Sequence, residues 1–163
     1  MPLDLTNLPK VDWVKSPVDD RDNLYLIRSV LRPEAVEEPA PTRPKLHAGP
    51  YVRIDQGQEG ACVGFAVAND LLGSPVRVRP PGYDKARTKV DVANAFAQAL
   101  FVAARRDHDE WVGENYDGTS VRAGMLAARA AGYIGEFRWI RSADDLRRTI
   151  HQVGPVIIGI PWT

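Results

Sequence analysis

Asp55-Gln-Gly-Gln-Glu-Gly-Ala-Cys-Val-Gly-Phe-Ala-Val-Ala-Asn-Asp-Leu-Leu72 divides into two halves of different physical character. Residues 55–61 are punctuated by Gly57 and Gly60 and read as a loop. Cys62–Leu72 is almost wholly apolar, the pattern of a helix buried on all sides. The junction therefore sets a cysteine on the first turn of a core helix, where unpaired backbone amides and the helix dipole favour negative charge. The thiolate is the nucleophilic form of cysteine, so the position suits a reactive thiol. Gly60 and Ala61 are small and leave a substrate carbonyl room to approach the sulfur. The Cys62 amide can donate to an oxyanion, and the side-chain amide of Gln56, six residues upstream, can return as a second donor. The bland alternative is that Cys62 is a small hydrophobe at the start of a core helix.

Downstream, residues 73–89 hold Gly, Pro and five basic residues and read as a solvated surface loop. A helix is expected over Asp91–Arg106, with Asp91 as N-cap and Val92, Phe96, Ala99, Leu100 and Ala103 at helical spacing. A third helix should start near Ser120 and end at Gly132. A short β segment is expected around Tyr133–Ile140. Ser142-Ala-Asp-Asp145 then has the form of a helix start, with Leu146, Ile150 and Val153 on its apolar face. Gly154-Pro155 should stop that helix, and Val156-Ile-Ile-Gly-Ile160 reads as a buried strand. Upstream, residues 1–50 are rich in proline, which argues against long helices and for an extended arm along a domain that begins at residue 51 and runs to 163. Within it, Asn23–Ile27 reads as a short strand or docked segment and residues 32–45 as a linker.

The 163 residues are ample for one hydrophobic core. Twenty-one basic residues balance 21 acidic ones, so charge makes no case for a nucleic acid or anionic membrane partner. No apolar run reaches a membrane span, and Met1-Pro-Leu-Asp-Leu-Thr lacks the basic and apolar regions of a signal peptide. The expectation is synthesis into a cytoplasm, with a virion or another export route left open. One Cys and three scattered His point to no metal or other cofactor.

The 55–66 string resembles the active-site segment of papain-like cysteine peptidases. In that family a Gln-Gly pair precedes the nucleophile, with the Gln six positions before the Cys and an aromatic three positions after. Gln56-Gly57, Cys62 and Phe65 match this spacing. Val63 replaces the usual Trp, and Glu59 replaces a disulfide cysteine, which is similar to the bacterial and phage branch of the family. The stretch Asp19-Asp-Arg-Asp22 with Tyr25 also resembles N-terminal arms of that branch. Glu114-Asn-Tyr-Asp-Gly-Thr-Ser-Val-Arg122 resembles the segment whose glycines bind substrate backbone. The resemblance implies that Gly118 and Thr119 hydrogen-bond a substrate strand while Tyr116 and Asp117 shape its pocket. Gly154–Ile160 resembles the first strand of the family's β subdomain.

The fold implied is α+β: a papain-like helical subdomain plus the first strand or strands of a β subdomain, preceded by the extended arm. The activity implied is that of a cysteine peptidase or related amide hydrolase acting on a peptide or protein, with Cys62 and Gln56 catalytic and Gly60, Ala61, Asp117, Gly118 and Thr119 binding substrate. The family's His base and its following Asn would come after the 156–160 strand and are absent from this sequence. His47, His108 and His151 do not obviously replace them. The expectations are a fragment, a second chain or homo-oligomer that completes the site, or a catalytically silent module such as a virion or assembly component. The arm is open to two readings, an inhibitory segment covering the cleft or, the more common outcome, a merely supporting strap.

Overall fold

The computed structural model describes residues 19–50, 52–111 and 117–160. Five α-helices occur among them: α1 (Pro33–Glu37), α2 (Cys62–Leu72), α3 (Lys89–His108), α4 (Val121–Ala130) and α5 (Ala143–Gln152). Short 3-10 turns precede α1 at Asp20–Tyr25 and Ile27–Ser29, and another lies at Tyr83–Lys85. No described helix is long and apolar enough to cross a membrane.

The core is a three-helix pack whose spacing is set by small residues. Gly64 of α2 lies against Ala97 and Phe101 of α3, and Gly124 of α4 lies against Val63 and Val67 of α2. Ala104 meets Ala123 and Ala127 where α3 and α4 adjoin. Side chains this small bring helix axes close together. Val67, Leu71, Leu72, Phe96 and Leu100 fill the interior. Tyr133 closes one end by standing edge-on to Phe96, with ring centroids 5.0 Å apart. α2 is not buried on all sides, since Cys62 and Asn69 are exposed and Ala66 and Asp70 half-buried, all on its outward face. In α3 the buried stripe runs through Ala93, Phe96, Ala97, Leu100, Phe101 and Ala104. Ala99 faces solvent, and the helix begins at Lys89 after Thr88.

Local signals place the later helices well. The Ser120 hydroxyl accepts from the Ala123 amide at 2.9 Å, and Ser142 accepts from the Asp145 amide at 3.1 Å, so both are side-chain N-caps. α4 ends in a Schellman turn: Gly132 takes φ +78°, its amide donates to Arg129 O, and the Tyr133 amide donates to Ala128 O.

The expected α+β, papain-like architecture is not what forms. Among the described residues there is no strand and no sheet, so there is no β subdomain. Tyr133–Ile140 contributes one isolated parallel bridge, Trp139 to Leu26, held by the Ile27 amide on Trp139 O and the Trp139 amide on Tyr25 O. Val156–Ile160 is neither strand nor buried, for Ile158 and Ile160 keep 62% and 52% of their surface exposed. Apolar β-branched composition favours a strand only where a neighbouring segment completes the ladder. No described segment makes backbone hydrogen bonds to 156–160.

Residues 19–50 dock closely, and within Asn23–Ile27, where a strand was an alternative, only Leu26 is in a bridge while its neighbours belong to 3-10 turns. Residues 32–45, expected as a linker, contain α1. Ile27 and Leu31 are buried. Lys45 donates to His151 O, His151 bonds Arg43 O, and Arg148 donates to Glu38 O, so this segment is laced to α5. The Arg28 Nε–H adds a hydrogen bond shared by both carboxylate oxygens of the buried Asp145. Burial opposes the charge on Asp145, yet the hydrogen bonds from Arg28 and Ser142 hold its carboxyl below the usual range.

Candidate functional site

Cys62 opens α2 and is exposed. Ala61 immediately before it is fully buried, and its carbonyl accepts the Phe65 amide at 3.1 Å. The loop leading in is pinned at several points. The Asp55 amide donates to Asn94 of α3 at 3.1 Å, and Asp55 Oδ1 accepts from the Gly57 amide at 2.9 Å. Gly57 takes φ +63°, a conformation that favours glycine. Gln56 Nε2 donates to Glu59 O at 3.0 Å, so its amide closes its own loop. That bond uses one of the two N–H donors of the amide.

The two expected site segments meet. A Cβ added at Gly60 would stand 3.5 Å from Asp117 O, which puts the 117–119 segment beside the residues preceding Cys62. A cavity of about 700 Å³ lies beside Gly60, lined by Gln58, Glu59 and Asp117 and by Phe101 and Arg105 of α3, and neither Cys62 nor Gln56 lines it. Gly118 is half-buried. Thr119 is buried and its hydroxyl has no hydrogen-bond partner among the described residues, so its side chain faces inward. Tyr116 lies outside the described residues.

No described hydrogen bond joins a histidine to Cys62. His151 is held on Arg43 O, and the His47 ring on Ile150 O at 2.7 Å. His47 lies by Asp70, eight residues and roughly 12 Å along α2 from Cys62. His108 is the last residue of α3.

Asp70 is the residue that sequence reasoning passed over. Its carboxyl is half-buried on the outward face of α2, and burial raises its pKa to about 6 against a smaller opposing pull from His47. A charged residue inside an otherwise apolar helix was the available signal. A carboxyl whose folded pKa is raised is compatible with folding below its unfolded value of 3.8 and costs stability as pH rises through about 6. Asp70→Asn is therefore expected to stabilise the protein above pH 6 by about 1–2 kcal/mol, after allowing for solvent screening. The gain should shrink to nothing below pH 4, as read by thermal melts across pH. A gain that is the same at pH 3.5 and pH 7.5 would refute this account of Asp70.

Compared with family models, curated proteins and solved structures, the chain matches none.

Proposed function

We propose that Cys62 is the nucleophile of a cysteine peptidase or related amide hydrolase. The observation that carries this reading is an exposed thiol on the first turn of α2, two residues after side-chain-free Gly60, which has Asp117 beside it. The resemblance of residues 55–66 to the active-site segment of papain-like peptidases supports the same reading. The sulfur attacks a peptide carbonyl, forming a C–S bond and pushing the π electrons onto oxygen. The Cys62 amide and the second N–H of the Gln56 side-chain amide donate to that oxyanion. Collapse of the intermediate expels the amine and leaves a thioester, which water then hydrolyses. The reaction also needs a base that takes the thiol proton and returns it to the amine, and among the described residues no histidine hydrogen-bonds the sulfur.

A second reading, a catalytically silent binding or assembly module, has its own support in the lack of a histidine bonded to Cys62 among the described residues. Gln56→Ala separates the two. In a hydrolase it lowers the rate of Cys62 modification by a peptidyl vinyl sulfone about tenfold and leaves iodoacetamide unaffected, since one oxyanion donor is lost. In a silent module the peptidyl rate does not change.

A further inference from the structure

A groove of about 680 Å³ runs between α4, the 134–142 segment, α5 and the chain after α5. Its wall is largely apolar, with Val121, Met125, Ile134, Leu146 and Ile157 among its lining. A cavity of about 370 Å³ adjoins it, and the two share Asp70 and Pro155–Ile158.

Two features of this junction ask for a partner. Beyond the Gly154 amide, which donates to Thr149 O, no backbone hydrogen bond to a described residue is made by residues 155–160. A run of β-branched residues with free amides and carbonyls is a template for an added strand. Beside it, the Asp70 carboxylate has no Lys or Arg ion pair among the described residues. Its one charged neighbour is His47, whose Nε2 is already on Ile150 O. Elsewhere along the groove Glu136 and Arg138 satisfy each other, and Arg141 is exposed.

We infer that this groove binds a β-forming segment of another polypeptide, pairing along Val156–Ile160 and setting a Lys or Arg side chain on Asp70. A carboxylate in apolar surroundings regains most from a charge-assisted hydrogen bond. A small apolar ligand would fill the groove and leave the backbone unpaired. A second copy pairing through its own 156–160 run would bring no basic residue to Asp70, because that run contains none. The surface is separate from the chemistry of Cys62.

The test uses the full chain and a fluorescent blocked peptide, Thr-Val-Lys-Ile-Thr-Val, read by anisotropy. Its controls are the same peptide with norleucine for lysine and one with alternate amides N-methylated. The lysine peptide should bind at least tenfold more tightly than the norleucine peptide. Asp70→Asn should abolish that difference while leaving norleucine-peptide binding unchanged, and N-methylation should remove binding of both. Thermal melts establish that the variant is folded. Equal binding of the two peptides, indifference to Asp70→Asn, or no binding at millimolar peptide would overturn the proposal. So would a dimer, seen by sedimentation, that Ile158→Lys disperses and the lysine peptide does not.

Discussion

Gly64→Ala lowers stability by about 3 kcal/mol, the net of a severe overlap and a modest gain in helix propensity. The added methyl would stand 2.5 Å from the Phe101 Cβ, 2.6 Å from Ala97 O and 2.8 Å from the Phe101 amide nitrogen. Two of these three atoms are backbone, so no rotamer change relieves the contact. α2 cannot simply retreat, because its other side is seated on α4. A Cβ at Gly124 would already be 2.6 Å from Val63 Cγ1. The helices must separate, and every apolar contact between them loosens. Urea denaturation should show the loss, and the melting temperature should fall by about 10 °C. A melting temperature within about 2 °C of the wild type would mean that the α2–α3 approach is looser than described.

Arg122→Ala is expected to cost about 3–5 kcal/mol, for an electrostatic reason. Arg122 lies buried on α4 and hydrogen-bonds Asp22 from one side and Glu110 from the other. Asp19 is a third carboxylate, 3.7 Å away. The guanidinium also lies over the Trp139 ring, 5.7 Å from its centroid. Removing it takes away the cation that Asp22 and Glu110 share. It also unties the 19–31 segment from the point where α3 runs on toward α4. Lysine is a poor substitute, because one ammonium cannot reproduce the planar fork that reaches two carboxylates at once. Arg122→Lys should therefore recover less than half of the loss in urea denaturation. A loss below about 1 kcal/mol for Arg122→Ala would show that solvent already screens the cluster.

These two positions mark the limit of what could be read along the chain. Local chemistry was legible: the apolar run that makes α2, the Ser120 and Ser142 caps, and Gly132 in its left-handed turn each depend on neighbours within a few residues. So was the loop–helix junction at Cys62. The β structure was misread because a strand is a property of a pair. Val156–Ile160 has strand composition, and among the described residues nothing pairs with it. Long-range electrostatics left almost no trace either. Asp22, Glu110 and Arg122 are scattered along the sequence, and only the packed fold brings them together. The importance of Asp70 depends on the cavity beside it, which no residue pattern announces.

The reading of Cys62 as a nucleophile with its own substrate site is tested most directly by comparing two electrophiles of the same intrinsic reactivity. The rate of Cys62 modification by a peptidyl vinyl sulfone is measured against that by methyl vinyl sulfone, with Cys62→Ser as the blank. A peptidyl reagent that reacts at least 100-fold faster is the predicted result, since peptide binding at Gly60 and Asp117 would deliver the electrophile to the sulfur. Equal rates for the two reagents would contradict it and leave Cys62 an exposed thiol with no site around it.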